Sequence, residues 1–267
     1  MNLKEPRKSG DEPFRVAVLH GGPGLAGEVK PVVEELSSGR GVLEPFQTEL
    51  TIEEQVDELR DTLEKFGDLP MTLIGHSWGA WLGIIFAAIY PGLAEKIILV
   101  GSPPFREKYA EDIEETRLKR LKSDERREAE NLLKDLNKSD GEISEEELRR
   151  LGELFHRSDS FDPISSNIKL ENVDVLPEVY QNVWSEAREV RKSGELLELA
   201  RLIEPPVVAI HGDYDPHPAE GVREPLSSNI KDFKFILLKN CGHVPWLERQ
   251  AKDKFYIILE GLIGPDY

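Results

Sequence analysis

The sequence is poor in cysteine, in positive charge and in long apolar runs. Its 267 residues include one cysteine, Cys241, which excludes an internal disulfide. The formal net charge of −17 argues against a basic face for nucleic acid or for an anionic membrane. No apolar run is long enough to span a membrane, and the charged segment Met1–Lys8 lacks the apolar core of a signal peptide. We therefore expect a cytoplasmic protein with neither nucleic-acid nor membrane partners.

The first 104 residues alternate between apolar strand-like segments and amphipathic helical segments. Strands are predicted at 14–19, 41–43, 71–74 and 96–101, and helices at about 27–36, 52–66 and 78–90. Thr51 and Glu54 form a capping box at the start of the second helix. This alternation predicts an α/β fold with a mostly parallel sheet flanked by helices.

The alternation stops in the middle third of the chain. Residues 105–203 are highly charged and helical in pattern, with no clear strand. Strands resume at 207–210 and 233–238, and a last helix is predicted at 246–262. We therefore predict a core made of residues 1–104 and 204–267, with a helical cap, residues 105–203, inserted between two strands. Residues 1–13 are predicted to be a polar arm.

The segment Gly75-His76-Ser77-Trp78-Gly79 lies between a predicted strand and a predicted helix. A serine in this Gly-x-Ser-x-Gly context sits on a tight, strained turn that exposes its hydroxyl group. A side chain at either glycine would collide with the turn or a neighbouring strand. The helix that follows directs its N-terminus at Ser77 and favours negative charge there. Ser77 is therefore a candidate nucleophile, although the motif alone is also compatible with an ordinary turn.

An acid and a base follow two later strands. Asp215 lies after the strand at 207–210, and His243 lies after the strand at 233–238. The order Ser77, Asp215, His243 is that of a catalytic triad on an α/β sheet. Asp213 competes with Asp215 for the role of the acid, whereas Cys241 lacks an elbow and is a poor rival nucleophile.

Three motifs in register resemble the α/β-hydrolase superfamily over residues 14–262: His20–Gly24, Gly75–Gly79 and Gly242–Trp246. The segment His-Gly-Gly-Pro-Gly at His20–Gly24 resembles the proline iminopeptidase (prolyl aminopeptidase) branch. The family pattern Gly-x-x-Asp selects Asp215 as the acid.

The resemblance also implies further features of the site. The backbone N–H groups of Trp78 and Gly22 would form the oxyanion hole, with Gly21 as the alternative to Gly22. A cis bond at Gly22-Pro23 and cap carboxylates facing a substrate amine are implied as well. No organic cofactor is implied.

The sequence departs from the family in two places. The first predicted strand begins near residue 14, so the sheet is expected to be shorter at one edge. Glu44-Pro45-Phe46-Gln47 replaces the family's usual stretch beside the site.

Two segments have spacings that suggest metal sites. The alternation His211, Asp213, Asp215, His217 would place four ligands on one face of an extended chain. It overlaps the position of the triad acid, and we therefore expect no metal there. Asp135–Glu147 is close to a calcium-binding loop but is one residue out of register. Two cap helices, the second opened by a capping box at Ser144 and Glu147, are the favoured interpretation.

These features predict a serine hydrolase that transfers an acyl group to water. The expected substrates are small peptides or amino-acid amides with a free N-terminus. A carboxylesterase for small acyl esters is the alternative within enzymes. A non-catalytic protein that binds a small ligand on the same scaffold is the alternative from another class.

Overall fold

The computed structural model describes residues 4–137, 143–165 and 173–264, and these include a seven-stranded sheet. The strands are β1 (Arg7–Ser9), β2 (Phe14–Leu19), β3 (Gly41–Glu44), β4 (Met71–His76), β5 (Ala94–Val100), β6 (Val207–Gly212) and β7 (Phe233–Leu238). Their order is β1-β3-β2-β4-β5-β6-β7, in which β1 is antiparallel to β3 and every other pair is parallel. The predicted α/β fold with a mostly parallel sheet is confirmed.

Ten helices accompany the sheet in the described part of the chain. They are α1 (Lys30–Leu36), α2 (Ile52–Phe66), α3 (Trp78–Ile89), α4 (Ile113–Arg120), α5 (Ser123–Leu136), α6 (Glu145–Asp159), α7 (Pro177–Ser193), α8 (Glu195–Ala200), α9 (Glu220–Ser227) and α10 (Lys252–Ile263). Short 3-10 turns lie at Glu107–Tyr109 and Pro245–Leu247. None of these described helices combines the length and apolarity needed to cross a membrane.

The helices cover both faces of the sheet. Apolar side chains of α1 and α10 pack against one face. Those of α2, α3, α7, α8 and α9 form a larger cluster with the other face. Helix α3, which follows Ser77, is buried over ten of its twelve residues. Burial on all sides explains why its sequence is apolar throughout instead of amphipathic.

Part of the predicted polar arm is a strand. Residues Arg7–Ser9 form β1, which pairs with β3 at one edge of the sheet, before the first strand that we predicted. Arg7 donates to Glu44, whose side chain is buried, with N···O distances of 3.1 and 3.2 Å. A three-residue edge strand is too short to show the alternation of side chains by which strands are predicted.

The segment between β5 and β6 holds α4 to α8 and no strand among its described residues. Helices α4, α5 and α6 share a small apolar cluster. The capping box predicted at the start of α6 is confirmed, because the Ser144 side chain accepts from the Glu147 amide and Glu147 accepts from Ser144. The near-calcium loop includes residues 138–142, which lie outside the described residues.

Candidate active site

Ser77 lies in a strained turn between β4 and α3. Its backbone has φ 51° and ψ −117°, and apart from Asn240 it is the only described residue other than glycine with positive φ. Such a conformation costs about 1–3 kcal/mol, so the surrounding packing must impose it. The Ser77 amide donates to the carbonyl oxygen of Val100 on β5 at 3.0 Å. The turn is therefore tied to the neighbouring strand.

The two glycines of the turn are required by close backbone contacts. A Cβ atom on Gly75 would lie 2.2 Å from the carbonyl oxygen of Gly79. A Cβ atom on Gly79 would lie 2.4 Å from the carbonyl oxygen of Leu19 on β2. The expected collisions with the turn and with a neighbouring strand are both confirmed.

Asp215 and His243 are joined by a hydrogen bond at the carboxyl end of the sheet. His243 Nδ1 lies 2.8 Å from Asp215 Oδ2, and both residues are buried. Asp213 is directed elsewhere: its carboxylate accepts from the Cys241 amide at 3.3 Å and pairs with Lys239 at 3.5 Å. Of the two candidate acids, Asp215 is the one that contacts the histidine.

The pKa values of this pair move in opposite directions. Burial favours the neutral carboxyl of Asp215, but His243, His217 and His211 outweigh it and hold the pKa well below its usual value. Burial likewise lowers the pKa of His243, but the Asp215 carboxylate outweighs it and raises the pKa above the usual 6.5. The pair therefore favours a charged carboxylate beside an imidazole that readily accepts a proton.

His76, the residue before Ser77, contacts His243 and so brings the serine turn next to it. His76 Nε2 lies 3.1 Å from the carbonyl oxygen of His243, and the two rings are 4.8 Å apart between centroids. No hydrogen bond links Ser77 Oγ to His243 in the described part of the chain. Ser77 and the His243–Asp215 pair thus lie at the same carboxyl end of the sheet. The hydrogen bond between Ser77 and His243 is not formed.

The loop after β2 lies against the serine turn. A Cβ atom on Gly21 would be 3.0 Å from Ser77 Cβ. Gln47 Nε2 donates to the His20 carbonyl oxygen at 3.0 Å, and Glu44 accepts from the Gly27 amide at 2.8 Å. The residues that depart from the family at positions 44 and 47 therefore brace this loop.

The cis bond implied at Gly22-Pro23 is wrong. The cis peptide bonds of the described residues are at Glu12-Pro13 and Leu69-Pro70. Gly22 instead adopts φ 59°, and its carbonyl oxygen accepts from the Leu25 amide at 3.0 Å. A left-handed glycine in a tight turn shapes the loop without a cis bond.

Sequence reasoning missed an acidic partner beneath the loop. Glu28 forms an ion pair with His76 Nδ1, and the Glu28 side chain is 22% exposed. Burial raises the pKa of Glu28, but His76, with smaller contributions from His243 and His20, outweighs it and the net shift is downward. A glutamate in a loop of glycines has no local pattern that would mark it as a partner of a histidine, so only the fold places it beside His76.

A second missed residue joins the segment after α6 to the His243 loop. The buried Glu248 accepts from three backbone amides: Gly242 at 2.9 Å, Phe161 at 2.7 Å and Asp162 at 2.8 Å. The His243 amide donates to the carbonyl oxygen of Asp159 at 2.9 Å. The end of α6 is therefore fixed directly to the loop that bears His243.

The alternating pattern from His211 to His217 is only partly brought together. Potential ligand atoms of Asp215, His217 and His243 lie within 4.8 Å of one another, whereas Asp213 is directed away. Both Asp215 oxygens accept hydrogen bonds, Oδ1 from His217 and Oδ2 from His243. These donors already satisfy the carboxylate, so the cluster is a hydrogen-bonded network.

Cys241 is buried and unpaired. Burial raises the pKa of its thiol far above the usual value, and the charges of Glu248 and Asp215 add to the effect. Because the thiolate is the reactive form, this cysteine is a poor nucleophile.

A cavity of about 1000 Å³ opens between helices α4 to α7 and beside His217. Its lining carries charges of both signs, namely Glu114, Glu178, Arg117, Arg188 and Arg191. Arg117 forms an ion pair with Asp159, and Arg191 forms one with Glu107. Glu114, Glu178 and Arg188 form no ion pair with another described residue.

The sequence from residue 18 to residue 250 matches the family model described as alpha/beta hydrolase fold. Epoxide hydrolase 3 of Mus musculus is 35% identical over 54 residues, which are 20% of this chain and 15% of the mouse protein. The chain thus matches only a small part of that relative's length.

Solved structures resemble the chain over nearly its whole length. A monoacylglycerol lipase of Paleococcus ferrophilus is 17% identical with a TM-score of 0.62, covering 98% of each chain. A structure from a study of carboxylesterases of Nitrososphaera gargenis is 21% identical with a TM-score of 0.60, covering 97% of this chain and 93% of that one. At these identities the likeness shows the fold.

Proposed function

The chain belongs to the α/β hydrolase fold family and is a hydrolase of that fold, and on that premise we propose that Ser77, His243 and Asp215 are its catalytic triad. The observation that carries the proposal is the 2.8 Å contact between His243 and Asp215 at the sheet edge where Ser77 sits in its strained turn. Substrate binding would complete the missing serine–histidine hydrogen bond, since such bonds are often long before the substrate is bound.

The reaction follows from these positions. Ser77 Oγ attacks the carbonyl carbon while His243 Nε2 takes the hydroxyl proton. His243 then gives that proton to the leaving amine or alcohol, which departs and leaves an acyl-serine. Water attacks the acyl-serine as His243 removes its proton, and the acid product and free Ser77 result. Asp215 holds the imidazole by its Nδ1–H and stabilises the imidazolium.

We assign the oxyanion hole to the backbone N–H groups of Trp78 and Gly22. Trp78 is the first residue of α3, where amides lack carbonyl partners within the helix. Gly22 lies in the loop that packs against Ser77 through Gly21. One such donor contributes about 3–4 kcal/mol to stabilising the transition state.

The proposed substrates are small peptides or amino-acid amides with a free N-terminus. The cavity supports this because Glu114 and Glu178 line it and are not paired with a described cation. A carboxylate that faces a bound ammonium forms a charge-assisted hydrogen bond, which is roughly twice as strong as a neutral one.

Hydrolysis of small acyl esters is the second candidate. The structures that resemble the chain include a monoacylglycerol lipase and a structure from a study of carboxylesterases. An ester without a free amine would not use the cavity carboxylates.

The deciding experiment is a paired rate assay with Ser77→Ala as the control. A prolyl arylamide with a free amine is compared with its N-acetyl derivative and with a short-chain aryl ester. Loss of turnover on N-acetylation supports the aminopeptidase, whereas turnover of the ester alone supports the esterase. Failure of a fluorophosphonate to label Ser77 would leave a ligand-binding protein as the better account.

Variants of the cavity test the assignment of the carboxylates. Glu178→Gln and Glu114→Gln should raise KM for the free-amine substrate about tenfold and leave KM for the aryl ester unchanged. Glu111→Gln is the matched control, because Glu111 is exposed on the same part of the cap and does not line the cavity.

A further inference from the structure

Asp215 holds two imidazoles. Its Oδ2 is bound by His243, and its Oδ1 accepts from the His217 amide at 2.9 Å and from His217 Nδ1 at 2.8 Å. His211 Nε2 donates to the carbonyl oxygen of His217 at 2.7 Å. Because the carboxylate can only accept, the Nδ1 atom of His217 carries its proton. The backbone and the ring of His217 are therefore both held in place by hydrogen bonds.

The other ring nitrogen of His217 is available to a ligand. His217 lines the cap cavity, and its ring lies 4.7 Å from the ring of His243 between centroids. Nε2 makes no hydrogen bond within the described part of the chain, and it is not among the buried nitrogens sealed from solvent, as those of His20, His156 and His211 are. An open acceptor therefore faces the cavity next to the reacting imidazole.

The protonation state of His217 supports this reading. Burial lowers its pKa to about 4, although the Asp215 carboxylate opposes the shift, and Arg117 and His243 lower it further. Near neutral pH the ring is therefore uncharged. With the proton on Nδ1, the Nε2 atom can only accept a hydrogen bond.

We propose that His217 is a substrate-binding residue whose Nε2 atom accepts a hydrogen bond from an N–H or O–H group of the acyl portion bound beside His243. The assignment rests on the proposed function, because it places the acyl group between Ser77 and the cavity. The site would select acyl groups that bear an amine or a hydroxyl group near the reacting carbonyl. An acyl group with only hydrocarbon there would leave the acceptor unpaired, which disfavours its binding.

Two aryl esters with the same leaving group test the proposal. One carries a prolyl group, and the other carries a cyclopentanecarbonyl group, in which a methylene replaces the ring amine. The wild-type kcat/KM should favour the prolyl ester about tenfold or more. A preference of less than twofold would overturn the proposal.

Two variants separate substrate binding from support of Asp215. In His217→Asn, the side-chain amide can still donate to Asp215 from near the Nδ1 position, but nothing occupies the Nε2 position. We expect about a tenfold loss of kcat/KM for the prolyl ester, mainly through KM, and less than a threefold change for the cyclopentanecarbonyl ester. In His217→Gln, the amide reaches the Nε2 position, and the preference for the prolyl ester should be largely restored.

Equal losses for both esters in His217→Asn would assign His217 a purely structural role and overturn the proposal. Fluorophosphonate labelling of wild type and of Ser77→Ala distinguishes this failure from failure of the triad. If wild type is not labelled and hydrolyses neither ester, the proposed function itself is wrong. If wild type is labelled but hydrolyses neither ester, the proposed substrate class and this assignment are both wrong.

Discussion

The packing around α3 differs from the packing of α4 to α6. Side chains from α3, the sheet and four further helices form one large buried cluster, and the glycines on either side of Ser77 lie against backbone oxygens. Helices α4 to α6 share a cluster of only five buried residues. The cavity bordered by α4 to α7 is lined by charged side chains, and three of these form no ion pair with another described residue. The serine turn is thus fixed by dense packing, whereas the cavity wall presents polar side chains that are less densely packed.

This difference suggests a division of roles. Residues at the carboxyl ends of β4, β6 and β7 would set the chemistry for every substrate. Residues that line the cavity would choose among substrates, and a change there should alter KM before it alters the chemical step. The junction at Glu248 is where the two regions are coupled.

The largest effect is expected from the acid of the triad. Asp215→Asn should lower kcat by roughly 10⁴-fold for amide and ester alike, because the imidazole loses the acceptor that orients it. Asp213→Asn is the matched control two residues away, and its kcat should remain within a few-fold of wild type. Steady-state kinetics on both substrates checks this. Similar losses in the two variants would show that the turn as a whole, and not Asp215, is needed.

The next effect tests how tightly the core is packed. In Gly79→Ala, the new Cβ would lie 2.4 Å from a backbone oxygen of β2, and we expect a loss of about 3 kcal/mol in the free energy of unfolding. Gly83→Ala lies one turn further along α3 and would make only ordinary contacts at 3.7 Å and 3.8 Å. It should be neutral or stabilise by about 0.5–1 kcal/mol. Urea denaturation measures both, and a stable Gly79→Ala would contradict the close contact.

A smaller effect is expected at Glu248, which joins the segment after α6 to the His243 loop. In Glu248→Gln, the amide group would face a backbone N–H that now donates to a carboxylate oxygen, and we expect a loss of about 1–3 kcal/mol in the free energy of unfolding. Hydrogen exchange should quicken at residues 159–162 and at His243. Glu198→Gln, which breaks only an exposed pair with Arg201, should change neither measurement. Unchanged hydrogen exchange in Glu248→Gln would show that Glu248 does not couple residues 159–162 to the His243 loop.

The smallest effect concerns the two imidazoles on Asp215. The imidazole of His243 must be neutral to accept the serine proton, so kcat/KM should fall on acidification with a midpoint above pH 6.5. A midpoint near pH 4 would instead implicate His217, whose pKa is lowered to about 4. Histidine ring NMR in Ser77→Ala should show the two titrations on opposite sides of pH 6.5.

The shifted pKa values of His243, Asp215 and His217 also determine how the free energy of unfolding depends on pH. The raised pKa of His243 contributes stability that is complete below pH 6.5 and is lost as the pH rises through the folded value. The lowered pKa of Asp215 contributes stability above its unfolded value of 3.8, which is lost as the pH falls through the folded value. The lowered pKa of His217 reduces the free energy of unfolding below pH 6.5. In that range the imidazole is protonated in the unfolded chain but stays neutral in the folded chain down to about pH 4.

Local patterns were enough to predict most of the fold. Strand-like apolar runs located β2 to β7. For β2 to β6 the physical reason is that parallel strands buried on both faces must be apolar, whereas the edge strand β7 is apolar although most of it is only half-buried. The helix starts at Thr51 and Ser144 were predicted because capping depends only on residues three apart. Helix α9 was missed, since Pro225 within it favours a turn in any local interpretation.

The site divides in the same way. By itself the sequence determined the serine turn, because positions where a Cβ atom would lie 2.2–2.4 Å from a carbonyl oxygen accept only glycine. It also determined the order Ser77, Asp215, His243, because that order follows from the succession of strands. Only the tertiary structure decided that β1 pairs with β3, that Glu28 contacts His76, and that Glu248 joins the segment after α6 to the His243 loop. It also decided that His217 shares Asp215, because each of these contacts joins side chains whose positions depend on the whole fold.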